Sequence, residues 1–235
     1  MKRIRIALGT LLLAAAIAPA ARAQSSDITL RPGLTKDEFQ TLAADLGSLL
    51  RFRQIGDTAP LGKGAVDISM QLANAPLRDA RRSWSMAFPR AAARFGVNNR
   101  VDIGAWGGIN TNANYGVLGM DTKIALMTEG PSRPVSVSVR PSITALVGPS
   151  DLWAANVSVD LSVSRKFGPV SPYGGLAVSS TGVIERRPDV NLHRVSAGDA
   201  LAFAGVSYRW HALSVAGEVE KGDRVTYGFR IGTRF

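Results

Sequence analysis

The final eleven residues, 225–235, constrain the fold more tightly than any other stretch. They read VTYGFRIGTRF. Val225, Tyr227, Phe229, Ile231, Thr233 and Phe235 fall on one side of an extended chain. Thr226, Gly228, Arg230, Gly232 and Arg234 fall on the other. Period-two alternation over this length makes a β-strand with one apolar face and one polar or small face. At about 3.3 Å per residue and a tilt near 45°, the strand rises roughly 25 Å.

The same alternation recurs upstream. Val66, Ile68, Met70 and Leu72 alternate with Asp67, Ser69 and Gln71, which predicts a strand over 63–74. Residues 83–95 form a second strand whose apolar parity changes at Pro89, from Trp84, Met86 and Phe88 to Ala91, Ala93 and Phe95. A bulge there would reset the facing. Further strands are expected over 100–110, 114–127 and 135–146, then, after a turn over 148–151, through Val157, Val159, Leu161 and Val163, and over 173–182, 199–210 and 212–221. With the terminal strand the count is ten, and eight or twelve stay open if residues 46–95 are read differently. The strands run to 10–13 residues, against about six in soluble sheets.

One face of these strands is almost wholly Val, Ile, Leu, Met, Ala and aromatics. The other carries Asp67, Asp102, Asp121, Lys123, Arg140, Asp160, Arg209, Glu218, Glu220 and Arg230, with much Ser and Gly. A soluble barrel buries its apolar face; a membrane barrel turns that face to lipid. Alternation by itself does not choose between them. Strand length, the small residues of the polar face, and the near-absence of charge on the apolar face favour lipid outside. A Lys or Arg at mid-bilayer costs about 2–4 kcal/mol.

The terminal strand resembles that of Gram-negative outer-membrane β-barrels, with its final Phe235 and with Tyr227 and Phe229 at alternate positions. The resemblance implies recognition of Tyr227, Phe229 and Phe235 by the barrel-assembly machinery in the periplasm. The unit ARFGVNNRVDIG (93–104) is similar to a hairpin of small porin-like and transporter-like outer-membrane proteins. The expected fold is an all-β, transmembrane, antiparallel up-and-down barrel over residues 63–235. Periplasmic turns fall near 97–98, 128–133, 166–170 and His211, and outer loops over 75–82 and 183–198.

Lys2, Arg3 and Arg5 precede an apolar run over 6–18 and the small-x-small site Ala21-Arg22-Ala23, the layout of a secretory signal peptide over 1–23. The run is short for a spanning helix, which needs about 20 apolar residues. The chain has no cysteine, which rules out disulfides and thiolate metal sites. The net charge of +10 falls to +6 without the four basic residues of the leader. That excess suits a phosphate-bearing partner such as lipopolysaccharide. The basic residues are scattered and form no nucleic-acid recognition motif.

Residues 24–62 form an N-terminal segment. Thr35-Lys36-Asp37-Glu38 has capping-box spacing, and Phe39, Leu42, Leu46, Leu49 and Leu50 recur at helical period. A helix over 36–52 follows, sited at the periplasmic rim or inside the barrel as a plug. An extra strand over 46–54 is the alternative.

No catalytic, cofactor or metal site emerges from the residue pattern. His193 with Asp189 and Asp199 resembles, faintly, the Asp/His site of omptin-type proteases, but the further paired acids are not assignable, so a solvated loop histidine is expected. His211 beside Trp210 reads as an interfacial residue. The functional expectation is a narrow channel for small polar solutes or a structural barrel. A lipopolysaccharide- or ligand-binding surface barrel is the alternative, and an outer-membrane enzyme ranks below both. The candidate residues for any passage are the inward charges Asp67, Asp102, Asp121, Lys123, Arg140, Asp160, Arg209, Glu218 and Arg230.

Overall fold

Strands with two-sided alternation leave donors and acceptors along both edges, and closing the sheet on itself leaves no edge unpaired. A computed structural model of the protein has this closure. It describes residues 27–51, 55–79, 82–109, 113–187, 189, 192–223 and 225–235, with side chains outside 74–88. The strands are β1 Val66–Asp79, β2 Arg82–Gly96, β3 Val101–Ile109, β4 Gly116–Met127 and β5 Ser136–Val147. They continue with β6 Leu152–Ser164, β7 Val170–Glu185, β8 Arg194–Trp210, β9 Leu213–Lys221 and β10 Val225–Arg234. Each is antiparallel to its sequence neighbours, and β10 returns to β1, sealing an up-and-down barrel of ten strands. The seam runs from Asp67↔Arg234 to Ala73↔Gly228.

The helix α1, Lys36–Leu50, is set by its first turn. The Glu38 N–H donates to the Thr35 hydroxyl at 3.3 Å, and the Thr35 N–H donates to the Glu38 carboxylate at 2.8 Å. These two bonds satisfy two of the orphan donors of a helix start. The strand alternative over 46–54 fails up to Leu50, which is helical; residues 52–54 lie outside the described residues. The signal-peptide stretch 1–23 also lies outside them.

Three sequence expectations are corrected. No bulge resets β2 at Pro89: the β1–β2 ladder passes through Leu72↔Pro89 and Ala73↔Phe88 without a shift. β3 pairs only with residues 91–96, so the proline has no β3 neighbour whose hydrogen bond it would remove. The side chains of Trp84, Met86 and Phe88 lie outside the described ones.

The outer loops expected over 75–82 and 183–198 are mostly strand. β1 runs to Asp79 and β2 starts at Arg82, while β7 runs to Glu185 and β8 starts at Arg194. Outward positions at this end of β8 are Arg194, Ser196 and Gly198, all exposed. Where a strand projects beyond an apolar solvent, its outer face loses the hydrophobic marker while its backbone pairing persists.

A register shift in β4, between Ala125 and Met127 against β5, carries no marker in the sequence.

The two faces differ sharply in exposure. Met120 is 62 % exposed and Leu176 64 %, with Leu118, Val157, Val178 and Phe229 similarly outward. Asp102, at 0 %, and Asp121, Arg140 and Asp160, each at 5 % or less, are enclosed.

The occupied lumen as candidate functional site

With ten strands, both ends of the barrel wall lie at one rim, here termed the near end, marked by Val66 and Phe235. The far end carries the β1–β2, β3–β4, β5–β6, β7–β8 and β9–β10 connections. The N-terminal segment lies inside and spans both.

At the far rim the Ile28 N–H donates to Asn114 Oδ1 at 3.0 Å, and the Leu30 N–H donates to Asp151 Oδ2 at 3.0 Å. Arg187 Nη1 donates to the Leu30 carbonyl at 2.8 Å. α1 then runs down the interior of the far half. Phe39, Ala43, Leu46, Leu49 and Leu50 are buried against Trp106, Tyr115, Val117, Leu146, Leu152, Ala154, Val183 and Val195. The inward face is therefore not polar throughout. Among the described side chains its far half, from β3 to β8, forms an apolar collar matched to the apolar stripe of the helix.

Two glycines make room for this packing. A Cβ on Gly47 would stand 2.8 Å from Thr181 Oγ1, and one on Gly119 would stand 2.4 Å from the Trp106 ring.

Below the helix the lumen turns ionic. Arg51 pairs with Asp199 and, at 3.2 Å, with Glu220. Arg90 donates to the Leu49 carbonyl and lies 5.1 Å from the Trp106 ring centre. Ile55 packs with Tyr173, Leu201 and Phe203. Asp57 pairs with Arg209 at 3.0 Å, and the Thr58 N–H donates to Ser164 Oγ at 3.1 Å. Lys123 Nζ donates to the Ala59 carbonyl at 2.7 Å. The Leu61 N–H donates to Asp102 at 3.1 Å, and the Gly64 N–H reaches the Gly96 carbonyl at the near rim.

The inward charges named from the sequence are thus brought together, mostly as pairs. Lys123 pairs with Asp102 at 3.0 Å and Arg140 with Asp160 at 3.3 Å, while Arg94 pairs with Asp121 and Arg230 with Asp67. Arg209 is half-buried, and its partner is supplied by the N-terminal segment. Glu218 is buried, and Glu220 also accepts from the Thr226 hydroxyl at 3.1 Å. Sequence reasoning missed Arg51, Asp57, Arg90 and Arg94. Arg90 and Arg94 share the inward parity of β2, a signal hidden by the expected bulge.

A cavity of about 30 Å³ remains between Asp57, Asp67, Arg94, Lys123, Arg140 and Arg230. By the volume a water requires, it has room for about two waters.

Among the described residues of the far-rim loop no histidine-centred site is assembled. Asp189 pairs with Arg187 at 2.5 Å, and Asp199 points into the lumen to Arg51, so neither acid expected near His193 serves it. The Asp189 carboxyl is held below the usual carboxylate range by its hydrogen bond to Arg187. The Glu38 carboxyl is likewise lowered, by the Thr35 backbone and hydroxyl. Among the described residues no three His, Cys, Asp or Glu side chains cluster as a metal would need. His193 and His211 both have positive φ, 60° and 54°, and the ring of Trp210 meets His211 edge-on at 5.4 Å. These are turn residues.

The belt of exposed Leu, Val, Met and aromatic side chains encircling an ionic interior decides the solvent: water would not tolerate an apolar surface this continuous. The molecule is a transmembrane β-barrel. Its strands cross the bilayer with their aliphatic side chains in lipid; no described helix is long and apolar enough to cross a membrane.

Comparison with known proteins adds no closer kinship. No protein-family model matches the sequence, and no curated protein is similar to it. Among solved structures it is similar to Ail, the attachment invasion locus protein of Yersinia pestis, at 17 % identity and TM-score 0.32, covering 74 % of this chain and 99 % of that one. It is also similar to the translocator domain of the autotransporter NalP from Neisseria meningitidis, at 10 % identity and TM-score 0.43, covering 85 % and 94 %. The outer-membrane protease OmpT of Escherichia coli is similar at 10 % identity and TM-score 0.40, covering 78 % and 99 %.

Proposed function

We propose that the protein is a closed, structural outer-membrane barrel whose own N-terminal segment is the permanent filling of its lumen. The observation that carries this reading is the apolar collar. Were α1 to leave, Trp106, Val117, Leu146, Leu152 and Val183 would face water, together with Phe39, Leu46, Leu49 and Leu50. Exposing each large side chain costs about 1.5–3 kcal/mol. Withdrawal of the helix therefore costs on the order of 10 kcal/mol from its own residues alone. A lumen kept for solute traffic would be expected to be polar along its whole length. The narrow-channel reading accordingly ranks second, and the role contains no catalytic step.

Planar-bilayer recording tests this. The folded, unmodified protein, verified by heat-modifiable gel mobility, is expected to give no unitary conductance. A variant lacking residues 27–61, which removes both the helix and the segment below it, is expected to conduct, which shows that silence comes from the filling and not from failed insertion. Stable conductance steps from the unmodified protein would overturn the proposal.

A surface-binding role is favoured by a separate observation. Arg31, Arg186 and Arg194 are exposed around the far mouth. A phosphate-bearing lipid headgroup, as in lipopolysaccharide, suits that charge. The assembly role assigned to Tyr227, Phe229 and Phe235 belongs to the same proposal. All three are exposed on the lipid side of the barrel.

A further inference from the structure

The path of residues 27–51 and 55–65 has a direction. The segment joins the wall at the near end, through Gly64 and Val66. Successive residues then meet wall positions ever farther from that rim: Leu61 at Asp102, Asp57 at Arg209, Ile55 near Gln71, Arg51 at Asp199 and Gln40 at the Ser196 carbonyl. Ile28 and Leu30 finish at the far mouth, clasped by Asn114, Asp151 and Arg187 from three different far-end connections. In bacterial outer-membrane barrels the short turns are periplasmic. Turn length does not choose the side here, since two residues join β8 to β9 at the near end and two join β1 to β2 at the far end. The near end is assigned to the periplasm because both ends of the barrel wall lie there, as they do in even-stranded bacterial barrels.

From this geometry we infer a translocation activity: the barrel carries its own N-terminal segment from the periplasm to the cell surface, and an unstructured peptide placed ahead of residue 27 is delivered outside with it. The collar explains why the segment stops there. Among the described side chains, the apolar stripe of α1 packs between β3 and β8, in the far half. Below it, the acid Asp57 and the carbonyl of Ala59 find Arg209 and Lys123 only in the near half. A reversed segment would place the apolar stripe among these charges. A helix with its side chains is about 10–12 Å across, and it fills the lumen, so a chain segment passes but a folded domain does not. The inference depends on the path of the segment and not on whether the barrel conducts.

The absence of cysteine makes the test direct. Single variants Thr29→Cys, Asp189→Cys and Lys166→Cys place a thiol on the exit segment, in a far-end loop and in a near-end turn, all exposed positions. A membrane-impermeant maleimide is applied to intact cells and to permeabilised cells. Thr29→Cys and Asp189→Cys are expected to label fully on intact cells, and Lys166→Cys only after permeabilisation. Labelling of Thr29→Cys only after permeabilisation would overturn the inference, and so would the reverse pattern for the two wall positions. A ten-residue protease-sensitive peptide inserted between Ser26 and Asp27 is expected to be cut by external protease. Full protection of that peptide with Asp189→Cys still accessible would equally overturn it. Conductance is recorded separately, so a conducting protein with surface-exposed Thr29→Cys would sink the closed-barrel proposal alone.

Discussion

At the scale of single residues, the lumen is governed by pairing. Asp102 is fully enclosed and serves two elements at once, Lys123 on β4 and the Leu61 N–H of the filling segment. Removing one partner of a buried pair leaves an uncompensated charge, at a cost of about 3–5 kcal/mol. Asp102→Asn is therefore expected to lower unfolding stability by roughly that amount, read from urea titration in lipid vesicles. The double variant Asp102→Asn with Lys123→Met is expected to recover a large part of the loss, because the stranded ammonium is gone. Strictly additive losses would show that the pair is not coupled. The inward charges were legible in the sequence because alternation assigns parity residue by residue. Their partners were not, since pairing across strands depends on register, and Asp57 reaches Arg209 from a segment with no periodicity of its own.

At the scale of elements, the helix and the collar explain each other. Thr35 and Glu38 announced where the helix begins, and its leucines announced an apolar stripe. What received that stripe was written less visibly. Val117, Leu146, Leu152, Val183 and Val195 sit on the parity that elsewhere carries charge. They lie toward the far ends of their strands; Val183 and Val195 fall where a loop is expected from the sequence, while Val117 and Leu146 fall within expected strands. Apolar residues on the polar parity, clustered at one end of several strands, are the signal that an inner element is to be docked. Phe39 is the largest fully enclosed side chain of the helix. Phe39→Ala is expected to cost about 3–5 kcal/mol. The loss should appear as faster protease cutting within 27–50 of the folded protein, while the strand signal in circular dichroism is retained. Unchanged protection would place Phe39 outside the packing described.

At the scale of the whole molecule, a ten-stranded wall, a lipid-facing belt and an occupied interior form one consistent object. Ten strands leave a lumen that side chains alone fill poorly in its apolar half, and the protein supplies a helix of its own to complete it. Alternation gave ten strands with eight and twelve still open, and the lipid-facing orientation needed strand length and the composition of the two faces as well. Occupation of the lumen was not legible, because a helix at the rim and a helix within the barrel have the same local sequence signature. The central claim is that α1 lies inside, against β7, and it has a direct measurement. The Cβ position of Gly47 stands 3.5 Å from the Cβ of Thr181, within the spacing a disulfide bridges. In the double variant Gly47→Cys with Thr181→Cys, purified from membranes under mild oxidation, mass spectrometry of the digested protein is expected to find the two peptides joined. Recovery of both thiols free, from protein whose gel mobility shows a folded barrel, would contradict the account.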